Sequence, residues 1–120
     1  MKLPAALKKP DLMIERFDHI VLTVSDIEAA VAFYTRILQM REHTFGAGRK
    51  AICFGMQKIN LQVAGQEARS KAATGSGDLC LITAWTPDRL LDHLRAQCIE
   101  VLEGPVVKSG ALELINSIYF

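Results

Sequence analysis

The chain has little that would staple, anchor or unfold it. Its three cysteines, Cys53, Cys80 and Cys98, are odd in number, widely spaced and free of any Cys-x-x-Cys pair. That excludes the disulfide framework of a small secreted domain and points to reduced thiols. Long apolar runs are missing too, and none approaches the roughly 20 residues of a membrane span. Nor is there an excess of charge of one sign: fourteen Lys and Arg against thirteen Asp and Glu leave a formal charge of +1. The basic footprint of a nucleic-acid binder is therefore absent. Aromatics amount to 7%, yet half of the residues are apolar and 22% are charged, which is the balance of a globular protein and not of a disordered or collagen-like one. At 120 residues there is room for one domain with a genuine core. The expectation is a cytoplasmic protein with no membrane and no nucleic-acid partner.

Residues 1–12 carry Lys2, Lys8 and Lys9, but Pro4 and Pro10 interrupt them and no long apolar stretch follows. They read as an N-terminal arm and not as a leader. Phe17 to Val24 reads as a strand, with Phe17, His19, Val21 and Thr23 on one face and Ile20, Leu22 and Val24 on the other. Ser25 with Glu28 forms a capping box for a helix whose apolar stripe is Ile27, Ala30, Val31, Tyr34, Ile37 and Leu38. Strands are then predicted over Arg41–Phe45, Lys50–Met56 and Ile59–Ala64, with Gly46–Gly48 and Gln57-Lys58 as turns. Gly65 to Gly77 is small and polar, a linker.

The pattern then restarts. Asp78 to Ala84 reads as a strand, and Thr86-Pro87 starts a helix with Leu90, Leu91, Leu94 and Cys98 on its buried side. Val101-Leu102, Val106–Lys108 and Ile115–Phe120 are strand-like. Two copies of one strand–helix–strands module result, at about 13–65 and 78–120. The second is short at its C-terminal end.

The segments FDHIVLTVSDIEAAVAFYTRIL, RKAICFG, KINLQVAG, GDLCLIT and GPV…INSIYF are similar to the vicinal-oxygen-chelate superfamily. Within it the chain, over about Met13 to Phe120, most resembles the glyoxalase/bleomycin-resistance/dioxygenase-like domains. The resemblance implies an α+β fold of paired βαβββ modules forming open half-barrels round a divalent metal (Ni, Zn, Mn or Fe), in a homodimer. It also implies that the second module lacks its last strand. By position, the metal ligands it implies are His19 on the first strand, Gln62 on the fourth and Asp78 on the fifth. Gln62 reads equally as an inward polar residue facing a solvated cavity, and Asp78 as a cap on the Gly-Ser-Gly turn.

The fourth ligand of the family, a Glu on the eighth strand that also serves as the proton-abstracting base, has no counterpart before Phe120. No catalytic residue is therefore assigned, and the 120-residue chain alone is expected to be inactive. Two apolar edges, around Leu79–Ile82 and Asn116–Phe120, are expected to lie open. Adding the segment that follows in the family should raise the melting temperature.

Other signals carry less. Gly46-Ala47-Gly48 lacks the Gly-Lys-Ser/Thr of a phosphate loop. Arg49 and Lys50 face either an anionic substrate or solvent. Cys80 reads as buried packing, Trp85 and Tyr119 as core or dimer surface, and neither His43 nor His93 shows a ligand-like motif in the sequence around it. The resemblance implies a metal-dependent lyase, isomerase or dioxygenase acting on a small substrate with neighbouring oxygens, lactoylglutathione lyase being one such type. The alternative is a non-catalytic protein of the same fold that sequesters a small molecule such as bleomycin. The fold does not choose between them.

Overall fold

The computed structural model describes residues 16–77, 79–110 and 112–120. Among them are six strands and two helices in open sheets, an α+β fold. The chain divides into two units, Arg16–Cys80 and one that holds Leu81–Phe120.

In the first unit β1 (His19–Thr23) leads into α1 (Ile27–Arg36), followed by β2 (Arg41–Phe45), β3 (Arg49–Phe54) and β4 (Gln57–Gln62). The sheet order is β1-β4-β3-β2. β1 and β4 run parallel, while β2–β3 and β3–β4 are antiparallel hairpins. The second hairpin turns at Gly55-Met56 and not at the predicted Gln57-Lys58. The reason is backbone freedom: Gly55 sits at φ +53°, the left-handed region that a tight hairpin needs. Gln57 and Lys58 are thereby released into β4.

The cap of α1 is also shifted by one residue from the predicted Ser25. The Asp26 carboxylate accepts a hydrogen bond from the Ala29 amide at 3.0 Å, adding negative charge at the positive end of the helix dipole. The predicted apolar stripe does pack as expected. Leu22, Val31, Met40, Ile52, Ile59 and Leu61 form the buried cluster, with Ile20, Val24, Ile27, Ala30, Tyr34 and Leu38 against it. The opposite face of the sheet mixes polar residues with a few apolar ones such as Val21, Ala51 and Phe45.

In the second unit α2 (Pro87–Ala96) precedes the hairpin of β5 (Glu103–Ser109) and β6 (Leu114–Tyr119). Thr86 caps α2 by accepting from the Arg89 amide at 3.3 Å. Leu94 is fully buried. Cys98 is exposed, because its φ of +58° turns the chain away after the helix. Val106–Lys108 lies within β5, which has a bulge between Glu103 and Val106, while the strand predicted at Val101-Leu102 is not formed and these residues precede β5. Gly104 makes this possible: at φ +111° its missing Cβ leaves room for the Ser117 carbonyl of the partner strand.

The predicted strand at 78–84 is not formed over its described residues, 79–84. A strand is held by ladder bonds to a neighbour, and no described segment pairs with it. Leu79 instead packs on the first unit's cluster, while Cys80, predicted to be buried, is exposed. No helix among the described residues is long and apolar enough to cross a membrane.

Candidate functional site

Ladder partners lie on the same side of a sheet, so the register assigns the face opposite α1 residue by residue. One row across it runs His19, Lys58, Cys53, Arg41; the next runs Val21, Asn60, Ala51, His43. Beyond them Thr23 pairs with Gln62 and Phe45 with Arg49. This face gathers two imidazoles, two amides and several cations. The alternation of β1 predicted His19 here, and the structure agrees.

His19 opens β1. Its Nδ1 lies 2.7 Å from the Asp18 carboxylate, and that hydrogen bond, with the histidine's charge, holds the Asp18 carboxyl below its ordinary range. In the neutral ring the nitrogen facing the carboxylate carries the proton, which makes Nε2 the nitrogen with the lone pair.

Gln62 is buried, and its Nε2 donates to Thr23 Oγ1 at 2.8 Å and to Ser70 Oγ at 2.9 Å. It lies opposite Thr23, four residues along the ladder from His19, or about 13 Å at the rise of a strand. Asn60 pairs with Val21 and is half as far away. It is 5% exposed, and its Oδ1 is buried without a hydrogen-bond partner. Sequence reasoning missed Asn60. The period of two places residues 58, 60 and 62 on one face alike, and only the register tells which is near His19. Asp78 lies outside the described residues.

The segment after β4 ties down one end of this face. Ser70 receives the Gln62 amide, the Gly75 amide donates to the Thr23 carbonyl at 3.1 Å, and Glu67 lies 3.7 Å from Arg49. The segment read as a linker is thus a strap. At the other end a depression of about 450 Å³ is lined by Asp18, Arg41, Glu42, His43, Cys53 and Lys58, with the Gly55–Gln57 turn at its rim.

The model of the Glyoxalase/Bleomycin resistance protein/Dioxygenase superfamily matches residues 16–108. A virulence protein of Salmonella typhimurium strain LT2 is 42% identical over 111 residues, 90% of this chain and 77% of that protein. A glyoxalase domain-containing protein of Mycosarcoma maydis is 43% identical, again over 90% of this chain, which spans only 62% of that relative's length. The solved structure of an integron cassette protein from V. cholerae superposes with a TM-score of 0.84 at 44% identity, covering 91% of this chain and 88% of that one.

The fold is shared more distantly. Lactoylglutathione lyase from Agrobacterium tumefaciens superposes with a TM-score of 0.63 at 19% identity, over 83% of this chain and 80% of that one. The fosfomycin resistance protein FosX from Listeria monocytogenes, solved with Mn(II) and sulfate, gives 0.56 at 18% identity, over 81% and 74%. Element order, sheet register and these matches lead to one assignment: the chain belongs to the glyoxalase/bleomycin resistance protein/dioxygenase superfamily.

Proposed function

We propose that this face carries part of a divalent-metal site used in lyase, isomerase or dioxygenase-type chemistry on a small substrate with neighbouring oxygens. One observation supports it above all: the Asn60 carbonyl oxygen is buried and unpartnered on the same side as the imidazole that Asp18 orients. A buried acceptor left unpaired costs roughly 1–3 kcal/mol, and a cation is a partner that removes the cost.

His19 is the anchoring donor through Nε2, and Asn60 is the second through Oδ1. Gln62 is a brace: its amide fixes Thr23 and the strap through Ser70. Asp78 is retained as a third donor on the strength of the resemblance. An imidazole with amide and carboxylate oxygens suits Mn, Fe, Ni or Zn. Among the described residues no group of three or more His, Cys, Asp and Glu converges, so the described donors fit an incomplete set that other donors and water fill out. When bound, the ion supplies Lewis acidity toward the substrate's oxygens. The residues of this face hold the substrate and fix the imidazole's tautomer. A homodimer in the cytoplasm, as the resemblance implies, is the proposed setting.

The neutrality of Asn60 and Gln62 favours one rival: a member of the same fold that sequesters a small molecule without metal. Metal analysis of the purified chain separates the two. About one equivalent of Mn, Fe, Ni or Zn per chain, as a single-ion site requires, is the expected result. A chain that takes up none when dialysed against each ion is a binder.

A further inference from the structure

Cations on a protein surface are ordinarily solvated or paired, and Lys50 is the paired kind. It points to the α1 side of the sheet, where its ammonium meets Glu42 at 2.7 Å and donates to Thr44 at 2.8 Å. On the site face the arrangement is different. Arg49 and Lys58 both lie over the one Phe45 ring, 5.1 Å and 4.1 Å from its centroid, and His43 stacks on that ring at 5.9 Å. Arg41 lines the same depression as His43 and Lys58. Like charges gathered round one ring repel each other unless an anion lies among them.

The carboxylates nearby do not serve. Asp18 is hydrogen-bonded to His19, and the Lys58 charge reaches it only at longer range, without an ion pair. Glu42 is engaged with Lys50 across the sheet. Glu67 divides its oxygens between Arg49 at 3.7 Å and Arg69 at 3.3 Å, both longer than a strong charged hydrogen bond. Among the described residues neither Lys58 nor Arg41 has a carboxylate within ion-pair distance. Arg49 Nε is buried with no hydrogen-bond partner, so the protein leaves this guanidinium, a shape that matches oxyanions, incompletely satisfied.

We infer that this half of the face, centred on Phe45, is an oxyanion-recognition surface. Arg49 and Lys58 bind a carboxylate, phosphonate or phosphate group of the small substrate, Phe45 holds the two cations in place, and Arg41 and His43 form the margin. Lys58 stands beside His19 in the cross-strand row, so an anionic substrate bound here presents its remaining oxygens toward the candidate metal donors. The substrate-class part of the inference rests on the proposed function above. The anion site itself does not.

The test uses the full chain, freed of metal by chelation, at low ionic strength. Inorganic phosphate is titrated while amide NMR shifts are followed, with sodium chloride at matched ionic strength as the control. Saturable shifts at Phe45 and Lys58 are expected, and Lys58→Gln should weaken phosphate by about 10-fold or more, the size of one lost charged hydrogen bond. Lys58→Arg should retain binding, and Lys50→Gln should leave it unchanged. Arg49→Gln is read only if its spectrum remains folded, since the Lys58 pair decides without it. A parallel titration with acetate separates the sources: equal binding assigns a carboxylate, and preference for phosphate assigns a phosphate or phosphonate. Shifts that chloride reproduces, or that survive Lys58→Gln at full strength, overturn the inference. His19→Ala should keep phosphate while losing metal, so the two sites fail separately.

Discussion

Replacing His19 with alanine is expected to weaken divalent-metal binding by at least about 100-fold, beyond the 10- to 100-fold cost of disturbing a ligand's supporting residue. The imidazole is the one nitrogen donor proposed for the site, and the other described donor, Asn60, is a neutral amide oxygen, which binds first-row ions weakly. Calorimetric titration of Mn(II) or Zn(II) into wild type and variant measures the difference. The folded state should hardly notice: the His19 side chain is 38% exposed and stands outside the buried cluster, so thermal unfolding without metal should coincide for the two proteins. Asp18→Asn provides the graded control. It keeps the shape but removes the charge that fixes the proton on Nδ1, and a loss of about 10- to 100-fold is expected. Unchanged affinity in His19→Ala would remove the metal reading of this face.

The largest loss of stability is expected at Ile52. It is wholly buried, lies in β3 between Glu42 and Ile59 in the ladder, and belongs to the cluster that α1 covers. Ile52→Ala removes apolar contact and leaves a cavity that a paired strand cannot collapse, at about 2–5 kcal/mol. Against a total of roughly 5–15 kcal/mol for an ordinary domain, that is a substantial share. Urea unfolding followed by circular dichroism reads it as a lower midpoint. Met56→Ala, at a fully exposed side chain in the β3–β4 turn, should stay within about 0.5 kcal/mol of wild type.

Sequence periodicity carried the first unit a long way. Arg41–Phe45 falls on the predicted residues, and the stripe of α1 meets the β1 face foreseen for it, because both follow from local alternation and local spacing. What escaped was decided elsewhere. Ser25 and Asp26 are both capable cap residue types, and it is Asp26 that has the extended backbone and accepts from the Ala29 amide. The strand expected at 78–84 depends on a neighbour that its own residues cannot supply. Asn60 and Gln62 are indistinguishable by alternation. Pairing with Val21 or with Thr23 separates them, and pairing is a property of two strands. The two cations over Phe45 come from two other strands, so their convergence has no signature along the chain.

β1 is fastened unequally along its length. At one end the Thr23 carbonyl takes the Gly75 amide and the Val24 amide reaches the Gln62 carbonyl at 2.7 Å. At the other end the strand begins at His19, on the margin of the sheet with β4 as its one described neighbour. Fraying should therefore run inward from the histidine, and deuterium should enter those first amides ahead of the rest. Whatever ligand the imidazole captures must first arrest that fraying, so occupancy and local order at this corner rise and fall together.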